Sequence, residues 1–185
     1  YKAHPFEKAP IAFQNGIGLN PVLSHLYMSI HPPFAFLGYA MISLLFAFAI
    51  SHLIRPVTID WLVVVKKWVY LAFFALSTTI ILGSLWAYSV LGWGGFWAFD
   101  PIENASLVTW IGLMLLIHHI TWYQKQKMRP TFSVFLIIIL FASVYHMVML
   151  LRSGLMEKLT QHAYLGSNLM LVLMIIDIVY FLIPL

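Results

Sequence analysis

The chain has 185 residues, of which 62% are hydrophobic and 9% charged, with a mean hydropathy of +0.92. Soluble domains carry about 45–50% apolar and about 25% charged residues, so these proportions exclude a water-soluble globular fold, a disordered chain, a disulfide-stapled module and a nucleic-acid-binding domain. The sequence has no cysteine, which removes thiol catalysis, iron–sulfur clusters and thiolate zinc sites, and its formal charge of +4 comes from ten Lys and Arg against six Asp and Glu, an excess that in a membrane protein reports topology.

The chain therefore reads as an all-α, polytopic membrane protein. Tyr1 opens a polar stretch without an initiator Met, and the numbering is expected to start inside a longer chain. A helix needs ~20 mainly apolar residues to cross a hydrocarbon core of ~30 Å. In chain order the spans are expected at Phe34–Ile54, just after Pro32-Pro33, at Trp68–Leu91, at Ile102–Tyr123, at Phe132–Leu151 and at Ala163–Leu182. That makes about five transmembrane helices. No repeat or low-complexity linker interrupts them, so residues 1–33 form an outer-face lead-in and residues 34–185 one transmembrane domain that includes the loop 92–106.

The connections set the orientation. Arg55, Lys66 and Lys67 follow the first span, and Lys125, Lys127 and Arg129 follow the third. By the positive-inside rule these basic connections face the cytoplasm or mitochondrial matrix. His31, the Trp-rich loop and His162 then share the outer face.

The loop from Leu91 to Ser106 reads LGWGGFWAFDPIENAS. Its glycines permit sharp bends or close backbone approach, and Trp93, Phe96, Trp97 and Phe99 offer flat faces for a planar ligand. A plain interfacial aromatic belt is the competing reading, and it suffices for Trp61 and Trp122. Asp100 and Glu103 look like a catalytic carboxylate pair, but Asp-Pro-x-Glu is a helix start, with Asp as N-cap, Pro at the first helical position and Glu capping back. Glu103 also faces the outer cavity.

The eight histidines are the most informative residues, because imidazole is an axial haem ligand and intramembrane ionisable groups mark function. His4 and His25 belong to the polar lead-in and are expected to be solvated, and His52 sits at an inner helix end. His31 precedes Pro32-Pro33 at a helix mouth, and His162 opens the last span. Two histidines flanking a Trp-rich loop on one face suggest an outward-facing site for a planar metal macrocycle. His118 lies roughly 18 Å below the outer surface and His146 roughly 9 Å. His119 points about 100° away from His118. Interior hydrogen bonding accounts for His119 and His146, and Asp177 is a buried candidate partner for a histidine or a basic end residue.

The loop resembles the tryptophan-rich WWD signature of haem-handling membrane proteins, and its Asp-Pro-x-Glu-Asn-Ala-Ser ending resembles the CcmF haem lyase family of cytochrome c maturation. Gly18-Leu19-Asn20-Pro21, Ile30-His31-Pro32-Pro33 with Gly38-Tyr39, Leu116-Ile117-His118, and Arg152-Ser153-Gly154-Leu155 leading to His162-Ala163 are similar to that family's segments in the same order. The resemblance implies that His31 and His162 are axial ligands to haem at the WWD loop, on a platform of Trp93, Trp97, Phe96 and Phe99. It implies that His118 is one of two ligands to a separate b-type haem in the membrane. Phe96 and Phe99 stand where the family usually has tryptophan, keeping aromatic faces but not indole donors.

The implied activity is attachment of haem vinyl groups to the thiols of Cys-x-x-Cys-His in apocytochrome c, with reduced iron and electrons from the buried haem, drawn from quinol. Implied partners are apocytochrome c, a haem chaperone and other maturation subunits. Family members are several-fold longer and divided forms occur in mitochondria. The chain therefore resembles such a piece, in the mitochondrial inner membrane or else a bacterial cytoplasmic membrane, with a second polypeptide carrying the remaining helices. His118 would then be a half-site, since no histidine of this chain matches its depth from another helix. A haem carrier or delivery protein, and a structural subunit that keeps the fold without haem, are the alternatives. The Pro101–Ser106 and Arg152–Leu155 segments favour the lyase.

The orientation can be tested cleanly because the chain has no native cysteine. Cysteines placed at Ser24, Gly95 and Lys158 are expected to react with an impermeant maleimide from the outer side, and one at Gln126 from the inner side only. Outer labelling at Gln126 would refute the orientation.

Overall fold

The computed structural model describes residues 23–56, 60–92, 94–126 and 131–152, with 172, 174–176 and 178–179 beyond them. Four long helices follow one another: α1 (Leu26–Ile54), α2 (Trp61–Val90), α3 (Pro101–Gln126) and α4 (Thr131–Arg152). Each is long and apolar enough to cross a membrane, so the chain is a multi-pass membrane protein. The fifth expected span lies mostly outside the described residues, and residues 172, 174–176 and 178–179 within it are helical.

The helices are longer than their apolar runs. Helix α2 starts at Trp61 rather than Trp68, because Asp60 caps it by accepting from the Leu62 N–H at 3.2 Å. Lys66 and Lys67 ride inside its first turns with their ammonium groups 5.9 Å over the Tyr70 ring and 5.0 Å over the Trp68 ring, a cation–π arrangement that suits an interface. Helix α1 starts at Leu26 rather than Phe34 and carries Pro32 and Pro33 in its interior. Prolines there cannot donate to the Met28 and Ser29 carbonyls. The extra turns are held instead by His25, whose Nδ1 accepts from the Tyr27 N–H at 3.3 Å. His25, expected to be solvated, is thus a helix N-cap, and residues 26–33 are helical as the first turns of α1.

The four helices form a ring: α1 packs on α2, α2 on α3, α3 on α4 and α4 back on α1, while the diagonal pairs do not meet. Sequence neighbours run antiparallel, so the start of α1, the loop 91–100 and the end of α4 share one end, and the connections after α1 and α3 share the other. Ile42, Leu45, Leu62, Leu113, Leu116 and Ile137 are fully buried in the core. Because lipid is as apolar as leucine, packing and polar contacts hold such helices together. Trp110 donates to the Ser77 hydroxyl at 2.8 Å across α2–α3, Thr109 and Ser143 share a hydrogen bond at 2.9 Å across α3–α4, and Tyr39 donates to the Met147 sulfur at 3.2 Å across α1–α4.

Helices α1 and α2 meet closely at Gly38, where an added Cβ would lie 2.6 Å from Leu76 Cδ2. Leu76 is itself buried and has little room to yield. Gly38→Ala is expected to destabilise the bundle by about 1–3 kcal/mol through overpacking, and Leu76→Ala by about 2–5 kcal/mol through the cavity it leaves. The double variant should lose clearly less than the sum, because each change relieves the other. Unfolding midpoints in detergent for the four proteins check this, and simple additivity would contradict the contact.

Candidate functional site

The end of the ring where the loop emerges holds a cleft of about 260 Å³, walled by α1, α2, the start of α3 and the end of α4. His31, Trp86, Trp97 and Glu103 stand around it, and the Tyr39–Met147 pair lies deeper along it. Most of its surface is apolar, as ligand pockets generally are.

His31 is not at a helix mouth but in the second turn of α1. Its Nδ1 lies 3.1 Å from the Tyr27 carbonyl. A carbonyl can only accept, so Nδ1 is the donor in this bond and Nε2 is the ring nitrogen turned away from it. The ring tilts against Trp86, with centroids 5.8 Å apart. A Cβ at Gly83 would stand 3.8 Å from the imidazole Cδ2, at ordinary contact distance, so α2 passes directly beside the His31 ring.

The loop is built on helix capping. Asp100, only 7% exposed, accepts from the Ile102 N–H at 2.8 Å. Glu103 Oε2 accepts from the N–H groups of Ala98 at 3.0 Å and Asp100 at 3.3 Å. This is the reciprocal capping box expected from the motif. Glu103 therefore lines the cleft and also anchors the loop. Asn104 ties two parts of it together, accepting from Trp97 Nε1 at 3.4 Å and donating to the Phe99 carbonyl at 3.0 Å. Between them Phe99 has φ 59°, left-handed backbone that a bulky residue rarely adopts. Gly92 and Gly94 take the other positive-φ positions among the described residues, at 71° and 77°.

Of the aromatic residues singled out in the sequence, Trp97 faces the cleft. Phe96 stacks on Tyr88 with centroids 4.3 Å apart, and Phe99 is 77% exposed; neither contributes to the cleft wall. Trp93 and His162 lie outside the described residues. Trp86, Tyr39, Met147 and Gly83 were missed. The available signal was a stripe on α2 at Thr79, Gly83 and Ala87, small residues four apart, which marks a face that makes room.

The remaining histidines separate by environment. His118 is exposed on α3 with Nδ1 donating to the Met114 carbonyl at 2.8 Å, so Nε2 is likewise the nitrogen turned away from that bond. It lies in a shallow groove of about 470 Å³ formed by Ile117, His118, Thr121, Trp122 and Lys125. His119 points the other way, buried edge-on to Phe132 at 4.9 Å. Its Nε2 has no hydrogen-bond partner among the described residues, contrary to the bonded interior histidine expected. His52 stacks on Trp61 at 4.9 Å, so Trp61 is a packed residue and not a belt tryptophan. His146 is half-buried on α4. Among the described residues no three His, Asp or Glu side chains converge as a metal cage.

A family model described as cytochrome C assembly protein matches residues 6–159. The chain belongs to the cytochrome c assembly family. It is 37% identical over 164 residues to the cytochrome c-type biogenesis protein ccl1 of Rhodobacter capsulatus, covering 88% of this chain and 25% of that one. It is 36% identical to CycK of Rhizobium meliloti over 88% of this chain and 24% of the relative, and 35% identical to CcmF of Pseudomonas aeruginosa over 88% and 25%. The solved structure of the cytochrome c haem lyase CcmF superposes with a TM-score of 0.67 at 25% identity, covering 87% of this chain and 24% of that one. The chain spans about a quarter of the length of these relatives, and the three curated relatives named here are bacterial.

The capping box yields a direct test. Glu103→Ala is expected to speed amide exchange at Ala98 and Asp100 and to loosen Trp97, at a cost of about 1 kcal/mol. Glu103→Gln, which still presents an acceptor oxygen, should leave exchange near the parent rate. Equal exchange in all three proteins would remove Glu103 from the loop's support.

Proposed function

We propose that the chain is part of a cytochrome c haem lyase, which takes haem as its substrate in the outer cleft and presents it to apocytochrome c. The observation that carries this reading is His31. Its Nδ1 donates to a main-chain carbonyl, and its ring packs against Trp86 on the wall of the cleft that Trp97 also lines. His162 supplies the second axial ligand and Trp93 extends the aromatic platform, both by resemblance to the family. The reaction adds each cysteine S–H across a haem vinyl group. Sulfur bonds to the inner vinyl carbon, hydrogen ends on the terminal carbon, and nothing leaves. No acid–base pair is then required of Asp100 and Glu103, in keeping with their use as caps. The residues' work is to hold the porphyrin flat, fix its iron and leave its vinyl edge open to the incoming peptide.

His118 is proposed as one ligand of a resident b-type haem that supplies the electron keeping the substrate iron reduced, with quinol as donor. It faces outward from the ring, and His119 on the same helix is turned inward. The second ligand therefore belongs to helices outside these four, on a longer chain or a second polypeptide of the maturation complex. By the same resemblance the complex includes a haem chaperone and sits in a mitochondrial inner membrane or a bacterial cytoplasmic membrane.

In the complete complex, His31→Ala and His162→Ala are each expected to reduce haem at the outer site at least tenfold and to stop c-type cytochrome formation, with partial recovery on added imidazole. His4→Ala should change neither. His118→Ala should remove a low-spin b-type band that this chain alone does not show. Covalent cytochrome c made at full rate by the His31→Ala/His162→Ala protein would refute the outer site. Haem retained with no covalent product in the parent complex would instead identify a carrier.

A further inference from the structure

His118 shares its face of α3 with Thr121, Trp122 and Lys125, at three, four and seven residues farther on, the spacing that stacks side chains along one helix face. All four are exposed, Trp122 to 62%, and with Ile117 they line one groove. The Thr121 hydroxyl is already spent on the Ile117 carbonyl at 2.8 Å. The Trp122 indole N–H and the Lys125 ammonium remain as donors there, and the ammonium is engaged in no ion pair among the described residues.

The depth of His118 gives this stripe a direction. Eight residues separate it from Gln126 at the inner end of α3 and seventeen from Pro101 at the outer end, about 12 Å against about 26 Å along the axis. Haem carries both of its carboxylates on one edge. An ionised carboxylate in hydrocarbon is costly and moves to the nearer polar boundary or to a cation. For a haem held by His118 both demands point the same way. The inner boundary is the nearer one, and Lys125 stands about 10 Å along the helix on the same face.

We propose that Lys125 is the propionate anchor of the buried haem, holding its carboxylate edge toward the basic inner face. This rests on the reading of His118 as a haem ligand. Trp122, one turn inward of His118, covers the ring between ligand and anchor. Lys125 is a positioning residue: it sets the orientation and the electrostatic environment of the haem, and His118 holds the iron.

The experiment uses the complete purified complex with its native haem and the variants Lys125→Gln, Lys125→Arg, Lys67→Gln and His118→Ala. Lys125→Gln is expected to keep the low-spin b-type spectrum but lower the haem midpoint potential, because removing a nearby positive charge favours ferric iron. It should also lose haem to an acceptor globin about tenfold faster and shift the carboxylate bands of the redox-difference infrared spectrum. Lys125→Arg should restore all three, and Lys67→Gln, at the same end of the ring on α2, should change none. If Lys125→Gln accumulates poorly, Lys125→Met, which keeps the stem without the charge, is measured in its place. Unchanged potential, haem loss and infrared bands without the Lys125 charge, with haem lost in His118→Ala, would reduce Lys125 to a lysine that snorkels to headgroups and leave the His118 reading intact. Equal shifts in Lys67→Gln would show a general surface-charge effect and overturn the anchor. Haem retained in His118→Ala would overturn both.

Discussion

Hydrocarbon offers a polar side chain nothing, so polar side chains in these helices bond one turn back or across a seam, His119 Nε2 and Ser133 Oγ being exceptions among the described residues. The one-turn solution recurs throughout. The hydroxyls of Ser43, Ser77, Thr78, Thr79 and Ser89 all donate to the carbonyl four residues earlier. His31 and His118 use the same geometry through Nδ1. What is ordinary housekeeping for a serine becomes chemistry for a histidine. With Nδ1 bonded to the backbone, Nε2 is the ring nitrogen turned away from it. Both candidate iron ligands are prepared by a helix that had to bond them anyway.

The second consequence concerns where space can exist. The ring closes tightly through its middle, where Gly38 meets Leu76 and an added Cβ at Gly112 would lie 2.7 Å from Leu140 Cδ2. Phe46 stacks on Phe141 at 4.2 Å, and Phe73 on Trp110 at 5.2 Å. A broad ligand cannot enter there. It can sit at the end where the loop 91–100 emerges and α2 presents small residues, or outside the ring against α3. The two sites proposed occupy these two places.

Much of this was legible in the sequence because bilayer thickness makes a span visible as a length of apolar residues. All four described spans fall where the hydropathy placed them, and the Asp100–Glu103 capping box follows from local rules alone. The starts of α1 and α2 were less legible. Hydropathy marks the hydrocarbon boundary, whereas a helix runs on into the interface until a cap ends it, and His25 and Asp60 are those caps. Pro32-Pro33 read as a start because proline favours the first helical position, yet α1 carries the pair in its interior. The inward wall of the cleft was illegible for another reason. Trp86, Tyr39 and Met147 look like ordinary span residues until the order of helices around the ring brings them to one end.

The proline pair has a mechanical side as well. Helix α1 lacks two successive rungs of its hydrogen-bond ladder between Met28-Ser29 and Pro32-Pro33. Bending a helix costs least where rungs are already missing. That place is the turn bearing His31, with Met28 and Pro32 both on the cleft wall. The stiff body of α1 lies below it, clamped to α2 at Gly38. The rim of the cleft is thus the compliant part of an otherwise rigid wall, and it carries the imidazole with it as it yields.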